Sequence, residues 1–118
     1  MSWYCCHVIQ AFRARDDRRL LSIYENMLLI EASNFDEALS KGQQLASEKY
    51  QDTDDSLNCA GVPASTEVAG IRKVIAFERY DGPSLDGVEA TYSELLVESE
   101  DDLKALVAGE RVRVSYEE

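Results

Sequence analysis

The sequence predicts an α+β fold: a two-layer domain in which an antiparallel sheet of four or five strands carries one main helix on one face. Three observations lead to this expectation. Two apolar runs flank a short charged stretch at the start of the chain, a segment near residue 40 has helical spacing, and further apolar runs follow it. The predicted order is β-β-α-β-β-α-β, in a single domain covering residues 1–118.

The first predicted strand runs from Trp3 to Ala14 and is largely apolar on both alternating faces. This pattern is typical of an inner strand that is covered on two sides. A second run, Leu20 to Ala32, is rich in Leu, Ile and Tyr, and the charged residues 15–19 separate the two. A hairpin with a polar loop is therefore predicted.

The best-defined helix is Asn34–Tyr50. Asn34 can accept a hydrogen bond from the first turn, and Glu37 completes a start that resembles a capping box. Apolar and small residues then recur at helical spacing, namely Phe35, Ala38, Leu39, Gly42, Leu45 and Ala46. Because the opposite side is polar, we expect this helix to lie on the sheet with one side in water.

Residues 51–67 have no periodicity, which predicts a loop that is long for a compact domain. Strands are predicted again at Val68–Tyr80 and Val88–Val97, joined by the turn-forming residues 81–87. The apolar phase of the second strand changes partway along it, which predicts a bulge there.

A short helix is predicted after Ser99, which can cap it, and Gly109 is expected to end it. Leu103, Leu106 and Val107 fall on one side of this helix. Residues 111–116 then alternate strictly between polar and apolar, which predicts a final strand at a sheet edge.

Charge excludes two classes of partner. The chain has 12 basic and 23 acidic residues and a net charge of -11, and almost all the excess lies in residues 51–118. A chain of this charge repels a phosphate backbone and lacks the counterion release that drives nucleic-acid binding. We therefore expect neither nucleic acid nor an anionic membrane as partner.

Cysteine use and hydropathy predict a soluble cytoplasmic protein. No apolar run approaches the roughly 18 residues that span a bilayer, and the N-terminus lacks the pattern of a secretory signal. Three cysteines cannot all pair within the chain. We therefore expect thiols in a reducing compartment, packed as core residues.

Several segments together resemble the bacterial family called domain of unknown function 4288 (DUF4288). They are the opening Trp3-Tyr4, the strand Leu28–Ala32 with the following Phe35–Ala38, and the segment Gly87–Ser93. The resemblance covers roughly residues 3–98. Members of the family are small proteins without an assigned activity, so the resemblance supports the domain boundaries and implies no catalytic residue. The Cys5-Cys6 pair and the C-terminal helix and strand depart from the family pattern.

The stretch Cys5-Cys6-His7 is the first candidate site. On a strand, Cys5 and His7 share a face while Cys6 points the other way. A closed zinc site needs four ligands, and the only other thiol is Cys59. A cysteine nucleophile with His7 as base needs side chains within hydrogen-bond reach, whereas adjacent strand residues diverge. We expect these residues to pack in the core and to form no metal, cofactor or catalytic site. A metal site and a cysteine nucleophile remain the alternatives.

The segment Asp52–Asn58 is rich in oxygen ligands, as calcium sites are. It does not fit the EF-hand spacing, because Leu57 stands where glycine is required and Pro63 where glutamate is required. A solvated acidic loop is the expected structure.

Two charged clusters are candidate partner-binding sites. Arg13, Arg15, Arg18 and Arg19 could bind an anion or an acidic surface, or could simply keep a hairpin tip soluble. Glu94, Glu98, Glu100, Asp101 and Asp102 lie within nine residues that contain no base. This acidic cluster could attract a basic protein partner, or could be a solvated surface.

These features favour a non-enzymatic protein-interaction or regulatory module, similar in kind to small immunity proteins or inhibitors. The alternative is a small-molecule binder or minor enzyme with a pocket between the 51–67 loop and the sheet. We also expect a homodimer through the sheet, because Trp3, Cys5 and Ile9 make one face unusually apolar and a second chain could cover it.

Overall fold

Two long antiparallel hairpins form the main sheet of the computed structural model, which describes residues 2–14, 22–59, 62–77 and 84–117. The first hairpin is β1 (Ser2–Ala14) with β2 (Ser22–Ala32), and the second is β3 (Asp52–Cys59) with β4 (Val62–Ala76). β1 also pairs with β4, which gives a four-stranded antiparallel sheet in the order β2-β1-β4-β3.

One helix, α1 (Phe35–Tyr50), packs on one face of this sheet. It begins as predicted, because the Asn34 side chain accepts a hydrogen bond from the Glu37 amide at 2.8 Å. The residues of α1 that are buried against the sheet are all small: Ala38, Gly42 and Ala46. They allow the helix to approach Cys6 and Ile30 closely, and the predicted two-layer α+β fold is confirmed.

β1 is covered on both faces, as its two apolar faces predict. Cys6 and Val8 point toward α1 and belong to the hydrophobic core. Cys5 and His7 point to the opposite face, and all four side chains have 0% exposure. The segment that covers this second face comes from the C-terminal part of the chain.

The C-terminal part contains β5 (Glu94–Leu96), α2 (Glu100–Val107) and β6 (Ser115–Glu117), with β5 and β6 paired antiparallel. Ser99 caps α2 by accepting a hydrogen bond from the Asp102 amide at 3.1 Å, as predicted. Gly109 follows the helix with φ +77°, a left-handed conformation that glycine adopts without strain. Within the described ranges, neither helix is long and apolar enough to cross a membrane.

The prediction of a loop at residues 51–67 is wrong, because most of this segment forms β3 and the first part of β4. β4 supplies backbone partners for both β1 and β3, and this pairing overrides the weak strand propensity of an Asp-rich sequence. The later strands are shifted or shorter than predicted, since β4 ends at Ala76, β5 covers only 94–96 and β6 only 115–117. The register shifts lie between β1 and β4 and between β3 and β4, not within residues 88–97.

Candidate functional site

His7 is the centre of a polar cluster on the face of the sheet opposite α1. Its Nδ1 lies 3.3 Å from Glu25 Oε2 on the neighbouring β2. Its Nε2 is hydrogen-bonded to the Thr91 hydroxyl, which belongs to the segment before β5. Both ring nitrogens of a fully buried imidazole therefore have partners.

A bulge in β4 brings two cations to the same face. His7 is opposite Lys73 and Val8 is opposite Ile71, so Arg72 is the additional residue on β4. The Arg72 Nη1 atom lies 3.8 Å from Glu25 Oε2, and the Lys73 ammonium donates to the backbone carbonyl of Tyr92. Bulges commonly reorient side chains in this way, and they occur at sheet edges as well as next to functional sites.

The C-terminal segment covers the centre of this face. Thr91 contacts His7, Tyr92 accepts from Lys73, and the Arg72 guanidinium lies 4.3 Å from the centroid of the Tyr116 ring. Trp3, Met27 and Leu29 at the side of the face remain about half exposed, at 50%, 47% and 52%.

Burial shifts the pKa values of His7 and Cys5 toward their uncharged forms. Burial lowers the pKa of His7; Glu25 opposes this shift, and the nearby positive charges of Lys73 and Arg72 add to it. Burial also raises the pKa of the Cys5 thiol, against a hydrogen bond with Thr91 that lowers it. Reactive cysteines have a lowered pKa and an accessible position, whereas Cys5 is fully buried and its pKa is raised.

On the α1 side of the sheet, burial raises the pKa of Cys6, and the neighbouring Cys5 raises it further. The Cys6 thiol donates weakly to the Ala38 carbonyl at 3.7 Å. Cys5 and Cys6 are both free thiols. Within the described part of the chain, no three His, Cys, Asp or Glu residues form a group that could hold a metal ion.

Several sequence candidates cannot be placed. Arg15, Arg18 and Arg19 lie outside the described residues, and Arg13, the next-to-last residue of β1, has no described side chain. Asp52–Asn58, the segment rich in oxygen ligands, lies in β3, and its side chains are also outside the description. The roles considered for the arginine cluster, and calcium binding by Asp52–Asn58, therefore remain untested.

The predicted acidic cluster is fully described. Glu94 is in β5, Glu98 follows it, and Glu100, Asp101 and Asp102 form the first turn of α2. All are exposed except Asp102, which is partly buried. Beside them lie four exposed apolar side chains, Leu96, Leu103, Leu106 and Val107. We call these nine residues the α2 surface; no residue of α2 is buried.

Sequence reasoning missed Glu25, Arg72 and Thr91. Glu25 had a detectable signal, because it is the acid among the apolar residues Ile23, Met27 and Leu29 on one alternating face of β2. Arg72 depends on a bulge, and Thr91 on a contact between residues 84 positions apart. The sequence shows neither of these.

The model of the family described as domain of unknown function (DUF4288) matches residues 3–89. This region contains β1 except Ser2, all of β2 to β4 and α1, and it ends before Thr91. Comparison with the curated proteins and with the solved structures finds no match.

Proposed function

Because the chain belongs to the DUF4288 family, a domain of unknown function, we propose its role from the geometry: a non-enzymatic interaction or regulatory module that binds a basic protein through the α2 surface. The observation that carries the proposal is a helix with acidic and apolar side chains and no buried residue. Isolated helices of this length are marginal in water and are normally stabilised by packing of the apolar face. A partner would supply that packing.

Charge supports a basic partner. Five acids and no base lie in residues 94–102, within a chain of net charge -11. Such a field accelerates encounter with a positively charged surface, and salt screens it over about 10 Å at 0.1 M ionic strength. The acidic residues would set the association rate, and Leu103, Leu106 and Val107 would set the lifetime of the complex.

We further propose that the module acts in the bacterial cytoplasm. Cys5 and Cys6 are adjacent, buried and unpaired, which suits a reducing compartment. The cluster around His7 would then be structural: it ties the C-terminal part of the chain to the sheet through Thr91.

The test is affinity purification from the host with three forms of the chain. The first is the wild type, and the second has Glu100→Gln, Asp101→Asn and Asp102→Asn. The third is a control with three acids of α1 neutralised, Asp36→Asn, Glu37→Gln and Glu48→Gln. We expect the wild type and the control to retain a basic protein that high salt releases, and the α2 variant to lose it. Retention of no basic protein, or equal retention by all three, would contradict the proposal.

One observation favours the alternative, a small-molecule binder or minor enzyme: a buried histidine paired with a carboxylate, His7 with Glu25. A buried histidine whose pKa is shifted, as that of His7 is, occurs often in active sites. Thermal-shift screening of a metabolite panel distinguishes the alternatives. A compound that stabilises the wild type but not His7→Gln would favour this role over the interaction module.

A further inference from the structure

The outer edge of β2 is a second, independent interaction surface. β2 is the first strand in the sheet order and has eleven residues. Among the described residues, no strand pairs with its outer side. A long edge strand presents unpaired N–H and C=O groups that can pair with another chain.

The direction of the free groups follows from one hydrogen bond. The Phe77 amide donates to the Trp3 carbonyl at 2.9 Å, so the peptide groups of Trp3 face β4. Glu31, the β2 residue opposite Trp3, therefore directs its groups outward. Because the direction of the backbone N–H and C=O groups alternates from residue to residue, those of Ile23, Glu25, Met27 and Leu29 also point outward.

One end of this edge is already occupied. The Lys41 ammonium of α1 donates to the outward carbonyl of Glu31 at 2.8 Å. Lysine at an edge is a common protection against unwanted pairing. The unobstructed outward residues that remain are Ile23, Glu25, Met27 and Leu29.

We propose that a second copy of this chain pairs with this edge, antiparallel and about a two-fold axis at Asn26. This register pairs the four residues whose outward backbone groups are unpaired. Ile23 lies opposite Leu29 of the second copy, and Glu25 lies opposite Met27. No acid faces an acid. An axis at Leu28 would instead place Glu25 opposite Glu31, and like charges directly opposite are destabilising.

The geometry of the pairing is compatible with the helix layer. The two-fold axis is perpendicular to the sheet, so both copies of α1 lie on one face of a continuous eight-stranded sheet. On the other face, Ile23 and Leu29 are half exposed, at 49% and 52%, and would meet across the seam.

Disulfide trapping tests the register. At a two-fold axis through Asn26 the two copies of that residue form a close, non-hydrogen-bonded pair, so Asn26→Cys should cross-link on mild oxidation. The control Leu29→Cys should not, because the register separates its two copies by six residues, about 20 Å. The wild type controls for the native thiols. Cross-linking by Leu29→Cys instead of Asn26→Cys would overturn this pairing.

Light scattering with sedimentation tests the dimer itself. Met27→Pro removes an outward N–H that each copy contributes, and Met27→Ala keeps it. We expect Met27→Pro to weaken the dimer about thirtyfold through two lost hydrogen bonds, and Met27→Ala to have little effect. Salt should strengthen this dimer of two acidic chains, although it weakens binding of a basic partner. A wild type that is monomeric throughout the micromolar range would overturn the proposal.

Discussion

The close approach of α1 to Cys6 at Gly42 gives a prediction whose magnitude follows from the structure. A Cβ atom added at Gly42 would lie 2.7 Å from the Cys6 sulfur and 3.4 Å from the Cys6 Cβ. The first distance requires a shift of buried atoms, whereas the second is ordinary contact. Gly42→Ala should therefore be harmful only while the sulfur is present.

Two opposing effects set the magnitude. Alanine stabilises a helix interior by about 1 kcal/mol relative to glycine, and overpacking a core costs about 1–3 kcal/mol. We expect Gly42→Ala to lower the free energy of unfolding by about 1 kcal/mol in the wild type. With Cys6→Ala already present, the same change should raise it by about 1 kcal/mol, a coupling of about 2 kcal/mol.

Urea unfolding of the four chains in this cycle measures the coupling through the transition midpoints at constant slope. Cys5→Ala is the matched control, because Cys5 points away from α1. In that background, Gly42→Ala should remain destabilising. Additive free energies in the Cys6→Ala background would refute the proposed contact.

Three further predictions concern stability and reactivity. Because burial lowers the pKa of His7 in the folded chain, the unfolded chain takes up that proton first below about pH 6.5. Unfolding free energies should therefore fall more steeply on acidification in the wild type than in His7→Gln, and parallel pH curves would disprove it. Asn34→Ala should lower the unfolding free energy by about 1 kcal/mol through loss of the cap, while Ser40→Ala on the exposed side of α1 should not; equal effects would count against the cap. Cys5 and Cys6 should be alkylated far more slowly in the native than in the unfolded chain, as mapped by mass spectrometry, and rapid native labelling would contradict their burial.

The sequence predicted those parts of the fold that depend on local signals. The caps at Asn34 and Ser99 and the stop at Gly109 need only neighbouring residues, and all three are confirmed. The double burial of β1 followed from its two apolar faces. β3 was missed because its sequence is rich in Asp and lacks alternation, so only pairing with β4 makes it a strand.

The candidate site around His7 likewise combines features that local sequence signals predict with features that they do not. The side-chain alternation of a strand correctly placed Cys5 and His7 on one face, opposite Cys6. The partners of His7 come from β2 and from residue 91, and the nearby cations come from a bulge in β4. Long-range contacts and bulges depend on tertiary packing, which a single sequence does not encode in any local pattern.

The position of Thr91 links the family match to the surfaces that remain for partners. The matched region ends at residue 89, yet Thr91, Tyr92 and Tyr116 contact residues on the His7 side of the sheet. A sheet face closed by the chain itself no longer needs a second chain over its centre. A partner that binds the sheet would then meet the edge at β2, while a partner that binds by charge would meet the α2 surface. The two kinds of association should therefore respond to salt in opposite directions and tolerate each other's variants.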